Sequence, residues 1–290
     1  MKQLNRWWCA LLLCAAHGVL AQGAGTIDFL QGQAGITAAD GQRRAAALGG
    51  RINPGDMLDT GAASELHVVM ADGGMLALRA DSQVRIDAFR AENDARDESK
   101  IALLKGALRA VTGWLAKSNP RAYAVAAATA TIGVRGTDFE VILMPPGTGD
   151  AGAHVRVHDG GTVLRNGTGE QNINAGGSGY APEGGAPPRL HERIPDFIER
   201  AKGANDERVA RHNGEIGRHM DDALRRGGKL REGESSDRFI ERARGENERR
   251  DGARDGKGDG QRDAKGARGE RMQRPERPER PERPRRPGQY

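Results

Sequence analysis

Between Gly25 and Gly176 turn-forming residues recur every eight to twelve positions, with no 10–15-residue amphipathic helix between them. Such spacing confines this part of the chain to short strands and an all-β fold, either a β-sandwich or a β-solenoid. Asn53-Pro54-Gly55-Asp56 is a turn in which Pro54 fixes φ and Gly55 supplies positive φ. Asp72-Gly73 closes a hairpin, and before it Leu66, Val68 and Met70 alternate with Glu65 and His67. Ala122–Thr131 is alanine-rich, but Val125, Thr129, Thr131 and Ile132 are β-branched and glycines follow, which predicts strand.

The N-terminus predicts export. Lys2 and Arg6 precede an apolar run from Cys9 to Leu20, and Val19 and Ala21 suit a cut before Gln22. Residues 1–21 therefore read as a cleavable signal peptide and the mature chain as periplasmic. Both cysteines, Cys9 and Cys14, lie inside that signal, so the mature chain is expected to hold no disulfide. No other apolar run reaches the length of a membrane-crossing helix.

Composition then divides the chain. A Gly/Pro linker at 177–188 is expected to separate a β domain at 22–176 from a charged remainder. Residues 189–290 carry 28 Lys plus Arg against 22 Asp plus Glu and only three aromatics. Apolar surface on that scale does not offset an ordering cost of ~1–2 kcal/mol per residue, so the tail is not expected to fold alone. Residues 189–250 are helix-prone and contain a repeat: Phe197 to Gly203, FIERAKG, recurs as Phe239 to Gly245, FIERARG. The pairs Phe197-Ile198 and Phe239-Ile240 read as apolar anchors for docking a partner. Residues 251–290 are expected to be disordered, and end in Pro-Glu-Arg triplets at 275–283 whose period of three suits polyproline II.

Catalytic chemistry has no candidate: Ser64 and Ser82 lack a nucleophile-elbow context. No metal or other cofactor is expected. His154 and His158 share a strand face some ~13 Å apart, and His212 and His219, read as two turns apart on one helix, are too distant to share an ion. A nucleic-acid partner is not expected either. The net charge is only +5, and the arginines of the tail alternate with acids instead of forming an unopposed basic run.

The ordered turns resemble a FecR domain. Ile52 to Asp56 with Leu58 to Gly61, Leu66 to Gly73, Ser82 to Ile86 and Leu103 to Arg109 follow the family's succession, and Val134-Arg135-Gly136-Thr137 with Phe139 matches its most specific motif. The signature positions Gly55, Asp56, Asp72, Gly73, Arg135, Gly136 and Thr137 read as structural, with Arg135 a candidate partner for Asp56 or Asp72. The resemblance implies an extracytoplasmic β domain for signal reception or envelope binding, here without the cytoplasmic anti-sigma segment. The expected function is an exported, non-enzymatic module that binds a protein or cell-wall glycan; the alternative is an envelope tether whose tail docks the partner.

Overall fold

The computed structural model describes residues 23–255, Thr129 excepted. Its strands are β1 (Gly25–Gln31), β2 (Ala34–Thr37), β3 (Arg43–Ala45), β4 (Arg51–Ile52), β5 (Met57–Thr60), β6 (Glu65–Met70), β7 (Met75–Leu78) and β8 (Gln83–Arg90). After the long β9 (Glu98–Val111) and a short helix α1 (Trp114–Ser118) come β10 (Tyr123–Ala127), β11 (Ala130–Val134), β12 (Asp138–Met144) and β13 (Gly152–Asp159). Then follow β14 (Gly161–Asn166), β15 (Gly169–Asn174), β16 (Ser178–Pro182) and β17 (Arg189–Leu190). Four helices close the described chain: α2 (Asp196–Arg200), α3 (Asp206–Gly214), α4 (Ile216–Arg226) and α5 (Ser236–Asp255).

Pairing sorts the strands into two layers. The first runs β4-β1-β6-β7-β9-β12-β13-β16-β17, all antiparallel. The second runs β3-β2-β5-β8-β9-β10-β11-β14-β15, with β9–β10 its one parallel pair among the described strands. Strand β9 belongs to both. Its first half pairs with β8 and β10, and from Gly106 onward it pairs with β12 and β7. Gly106 has φ +82°, and a Cβ there would collide with Ser82, whose hydroxyl takes the Ala107 amide at 2.9 Å. A glycine is required at that crossing.

Period-two alternation turns one face of each layer inward. Leu66, Val68, Leu76, Leu78, Leu108, Phe139, Val141 and Val155 from the first layer share one core with Leu58, Val84, Ile86, Ile101, Leu103, Val125 and Ile132 from the second. The architecture is therefore two sheets packed face to face.

The proposed linker is corrected. Gly179 and Ala181 within 177–188 are strand residues: β16 pairs with β13 and then with β17. The period-two pattern there is masked by small residues, since Gly179 lies against the Arg189 carbonyl and Ile173, where a side chain would not fit. Helix α1 was also unforeseen; five residues give no periodicity to read. The chain divides into a unit ending at Glu248 and a second starting at Arg249, of which only the final turns of α5 are described. The stretch 1–21 read as a signal peptide and the Pro-Glu-Arg triplets lie outside the described residues.

Candidate functional site: the outer face of the first sheet

The outward residues of the first sheet form a row across it. His67 opposes Ala77, Ala77 opposes Arg109, Arg109 opposes Glu140, and Glu140 opposes Arg156. In an uncovered sheet such a row is solvated. Here it is buried: Arg79 and Arg109 are each 6% exposed, Glu140 1% and His67 0%.

The cover is residues 191–214, which cross the face as a strap. Ile198 of α2 packs on Ala107 and Ile142, and Val209 of α3 on Met75, Ala77 and Val111. Between these apolar seats lies an ion network. Arg79 Nη1 donates to Glu65 Oε1 at 2.9 Å and Nη2 to Glu140 Oε1 at 3.4 Å. Arg109 clasps Asp138 through Nε and Nη2 at 2.9 and 2.7 Å. From the strap, Asp206 Oδ1 reaches Arg79 Nη2 and stands 3.4 Å from Arg109 Nη1. Asn205 completes the clasp, donating its backbone amide and side-chain amide to Glu65 Oε2 at 3.2 and 3.0 Å. Gly203 passes so close to Arg79 that a Cβ would collide with the guanidinium.

Four carboxylates thus surround two guanidinium groups. Burial alone would raise Glu65, but the hydrogen bonds from His67 and Asn205 and the charge of Arg79 hold it down at about 2. A depressed carboxylate supplies stability that is complete above its ordinary range near 4.5 and is lost as pH falls toward 2.

Histidines seat the strap at both ends. His154 Nδ1 meets His191 Nε2 at 3.3 Å with the two rings nearly parallel, and Tyr180 stacks on both. Phe197 stands edge-on to His154 at 4.9 Å. Beside them an open recess of about 550 Å³ is lined by Tyr180, Arg189, His191, Arg193, Asp196 and Phe197, among others. At the far end His212 Nε2 donates to the Gly73 carbonyl at 2.9 Å, and its ring stacks on His219 at 3.8 Å. This corrects the expected separation of His212 and His219. The helix breaks at Glu215 between α3 and α4, and the break folds one ring over the other. No group of three metal-ligating side chains occurs among the described residues.

Burial lowers His212 to about 4, reinforced by the nearby His219 and opposed by the hydrogen bond to Gly73. The docked strap favours neutral His212. Its stabilising effect is therefore complete above the ordinary value of 6.5 and is lost as pH falls from there to about 4. Asp72 has the opposite sign: burial raises it to about 6, so its protonated form is favoured and stability falls as pH rises from 3.8 to 6. Amide exchange of α3, relative to the β core, should accelerate between pH 6.5 and 4, and His212→Gln should flatten that dependence. Equal pH profiles for the variant and the parent would count against His212 as the local sensor.

The signature positions hold turns together. Gly55, Gly73 and Gly136 have φ of +88°, +81° and +64°. Asp56 accepts the Asn53 amide at 3.0 Å and pairs with Arg44, while Asp72 accepts the Gly74 amide at 3.1 Å. Neither acid takes Arg135 as its partner. Arg135 is exposed, and its backbone amide bonds the Gly161 carbonyl at 3.0 Å. Thr137 donates its amide to Thr112 Oγ1 at 2.8 Å, tying β12 to the end of β9. The anchors differ from expectation too. Ile198, Phe239 and Ile240 are buried against this chain's own β region, and Phe197 is half-buried there. Their docking is intramolecular, because the sheet and α1 supply the apolar surface that the tail lacks.

Residues 56–162 match the family model described as FecR protein. This stretch is a FecR domain. It contains Glu65, His67, Arg79, Arg109, Asp138 and Glu140, whereas the strap lies beyond the FecR match. Two crystal structures of a Parabacteroides distasonis protein, provisionally named an anti-sigma factor, align at 13% identity and a TM-score of 0.39. Each alignment covers 49% of this chain and 62% of theirs, so the chain spans less than two thirds of those proteins. A solved cell surface anchoring domain aligns at 28% identity over 22% of this chain and 84% of its own, with a TM-score of 0.22. No curated protein matches the chain. No described helix is long and apolar enough to cross a membrane.

Proposed function

We propose that this protein is an exported, non-enzymatic binding or signal-reception module of the periplasm, which engages a protein or cell-wall glycan of the cell envelope. The FecR domain at 56–162 carries the reading. Its signature residues stabilise turns instead of converging on a reactive centre, and its charged sheet face is built for contact with a peptide segment: the strap already lies along it. The alternative, a tether whose Phe-Ile pairs dock the partner, is disfavoured by the burial of Phe239 and Ile240 within the chain.

The test is to express the full chain with its own leader and a C-terminal tag, crosslink intact cells, and identify what is captured. Recovery of an outer-membrane receptor or a membrane-bound regulator supports signal reception. Recovery of peptidoglycan-linked material shifts the function to anchoring. An uncleaved product retained in the cytoplasm overturns the exported address.

A further inference from the structure

The leading end of the strap is tied to the sheet by a chain of side-chain hydrogen bonds, and its outer members fix where the protons lie. The Asp150 carbonyl only accepts, so His154 Nε2 carries the proton that it gives across 2.7 Å. In the neutral ring His154 Nδ1 is then an acceptor, and His191 Nε2 donates to it at 3.3 Å. His191 Nδ1 in turn accepts from the Ser178 hydroxyl at 3.1 Å. His154 lies on β13 and Ser178 on β16, whereas His191 opens the strap and also donates its backbone amide to the Ser178 carbonyl at 2.9 Å. The two imidazoles are within 2° of parallel, Tyr180 stacks on both, and Phe197 stands edge-on to His154.

This chain accommodates one extra proton but not two. A first proton on His154 Nδ1 is tolerated if His191 changes tautomer, accepting at Nε2 and donating from Nδ1 to the Ser178 oxygen. A second sets N–H against N–H across 3.3 Å, where no hydrogen bond forms and two cations meet. Even the first is disfavoured. His154 is 1% exposed, and burial lowers both rings, taking His191 to about 4. Arg189, which donates to the Tyr180 hydroxyl at 2.7 Å, adds to the effect on His191, and Asp150 opposes it on both rings. The adjoining recess contributes little net charge: Arg189, Arg193 and Arg200 face Asp150, Glu192 and Asp196 there.

We infer that the paired imidazoles of His154 and His191 form a proton-operated latch, which holds the leading end of the strap on the sheet while the rings are neutral and releases it in mild acid. Release lifts Phe197 from His154, Ile198 from Ala107 and Ile142, and Glu199 from Arg156. That part of the face is then open to a partner. Because the latched form favours neutral rings, its hold is complete above their ordinary value of 6.5 and weakens as pH falls from there toward 4. The ion network at Arg79 outlasts the latch, since Glu65 loses its effect only as pH falls from 4.5 toward 2. The inference depends on neither the envelope partner nor the compartment, and its failure leaves the proposed function untouched.

Amide exchange of the full chain between pH 7 and 5, expressed as protection relative to the free peptide rate, tests the latch. Opening of residues 191–201 should rise about tenfold between pH 6.5 and 5 for each ring held neutral, hence roughly a hundredfold for the pair. The β core should keep its protection over the same range. The logarithm of the opening constant should change with pH at a slope above one, because more than one proton is taken up. His191→Gln keeps a hydrogen-bonding side chain and removes one titrating ring, so the slope at 191–201 should fall to one or below. Protection at 191–201 that stays flat from pH 7 to 5 overturns the inference, as does a His191→Gln chain with the parent's slope. Should the variant fail to seat the strap at any pH, an NMR titration of both imidazoles in the parent gives the second measurement. Lowered values for both rings support the latch, and ordinary values near 6.5 for both overturn it.

Discussion

Replacing Arg79 by alanine is expected to destabilise the fold by about 3–5 kcal/mol, the cost of leaving buried carboxylates without their cation. Arg79 touches Glu65, Glu140 and Asp206, and two of these acids, Glu65 and Glu140, are at least 95% buried. Arg109 does not compensate for Glu65 and Glu140, because its Nε and Nη2 are committed to Asp138 and its Nη1 faces Asp206. The loss should have a local component, since Asp206 belongs to the strap: α3 should exchange amides faster than the β core in the variant. Urea unfolding gives the magnitude. The double variant Arg79→Ala/Asp206→Ala should cost less than the sum of the two single changes, because the second removes an acid that the first had orphaned. A cost below about 1 kcal/mol for Arg79→Ala would mean that water solvates the network as it does an exposed ion pair, and that the strap is not its seal.

This network also marks the limit of what the sequence could reveal. The core was legible because alternation such as Leu66, Val68, Met70 needs only one strand to be seen. Glu65 and His67 read only as the opposite face of that strand, and nothing local marks Arg109 or Glu140 as buried. What buries them is a segment that begins 51 residues beyond Glu140, and no local pattern encodes that contact. The turns at Asn53–Asp56 and Asp72-Gly73 were legible for the reason the network was not: positive φ is a local demand. The second layer's seam at Gly106 went unread, since one glycine in a strand pattern has several explanations until Ser82 is seen against it. For the strap, composition speaks to its scarcity of apolar residues and is silent about its destination. Few apolar residues cannot make a core, yet Ile198 and Val209 suffice when a sheet supplies the other side.

The two copies of the FIERA[KR]G segment allow the same substitution to be compared in two environments. Phe239→Ala should cost about 3–5 kcal/mol, as is usual for emptying a fully buried aromatic site. The ring is 0% exposed, meets Trp114 edge to face at 5.2 Å, and carries the Arg242 guanidinium 5.0 Å from its centre. Trp114 and Leu115 beneath the ring are themselves held in the core. Phe197→Ala should cost only about 1 kcal/mol. That ring is half-buried at the recess, and the deeper seat belongs to its neighbour Ile198. For isoleucine the order should reverse in emphasis, with Ile198→Ala costing about 2–5 kcal/mol and releasing α2. Urea midpoints for the three variants decide the matter. Equal losses for Phe197→Ala and Phe239→Ala would mean that the two copies dock alike. Unequal losses in the stated order would mean that one heptapeptide serves as a phenylalanine anchor on α1 and an isoleucine anchor on the sheet, with its role set by the surface beneath it.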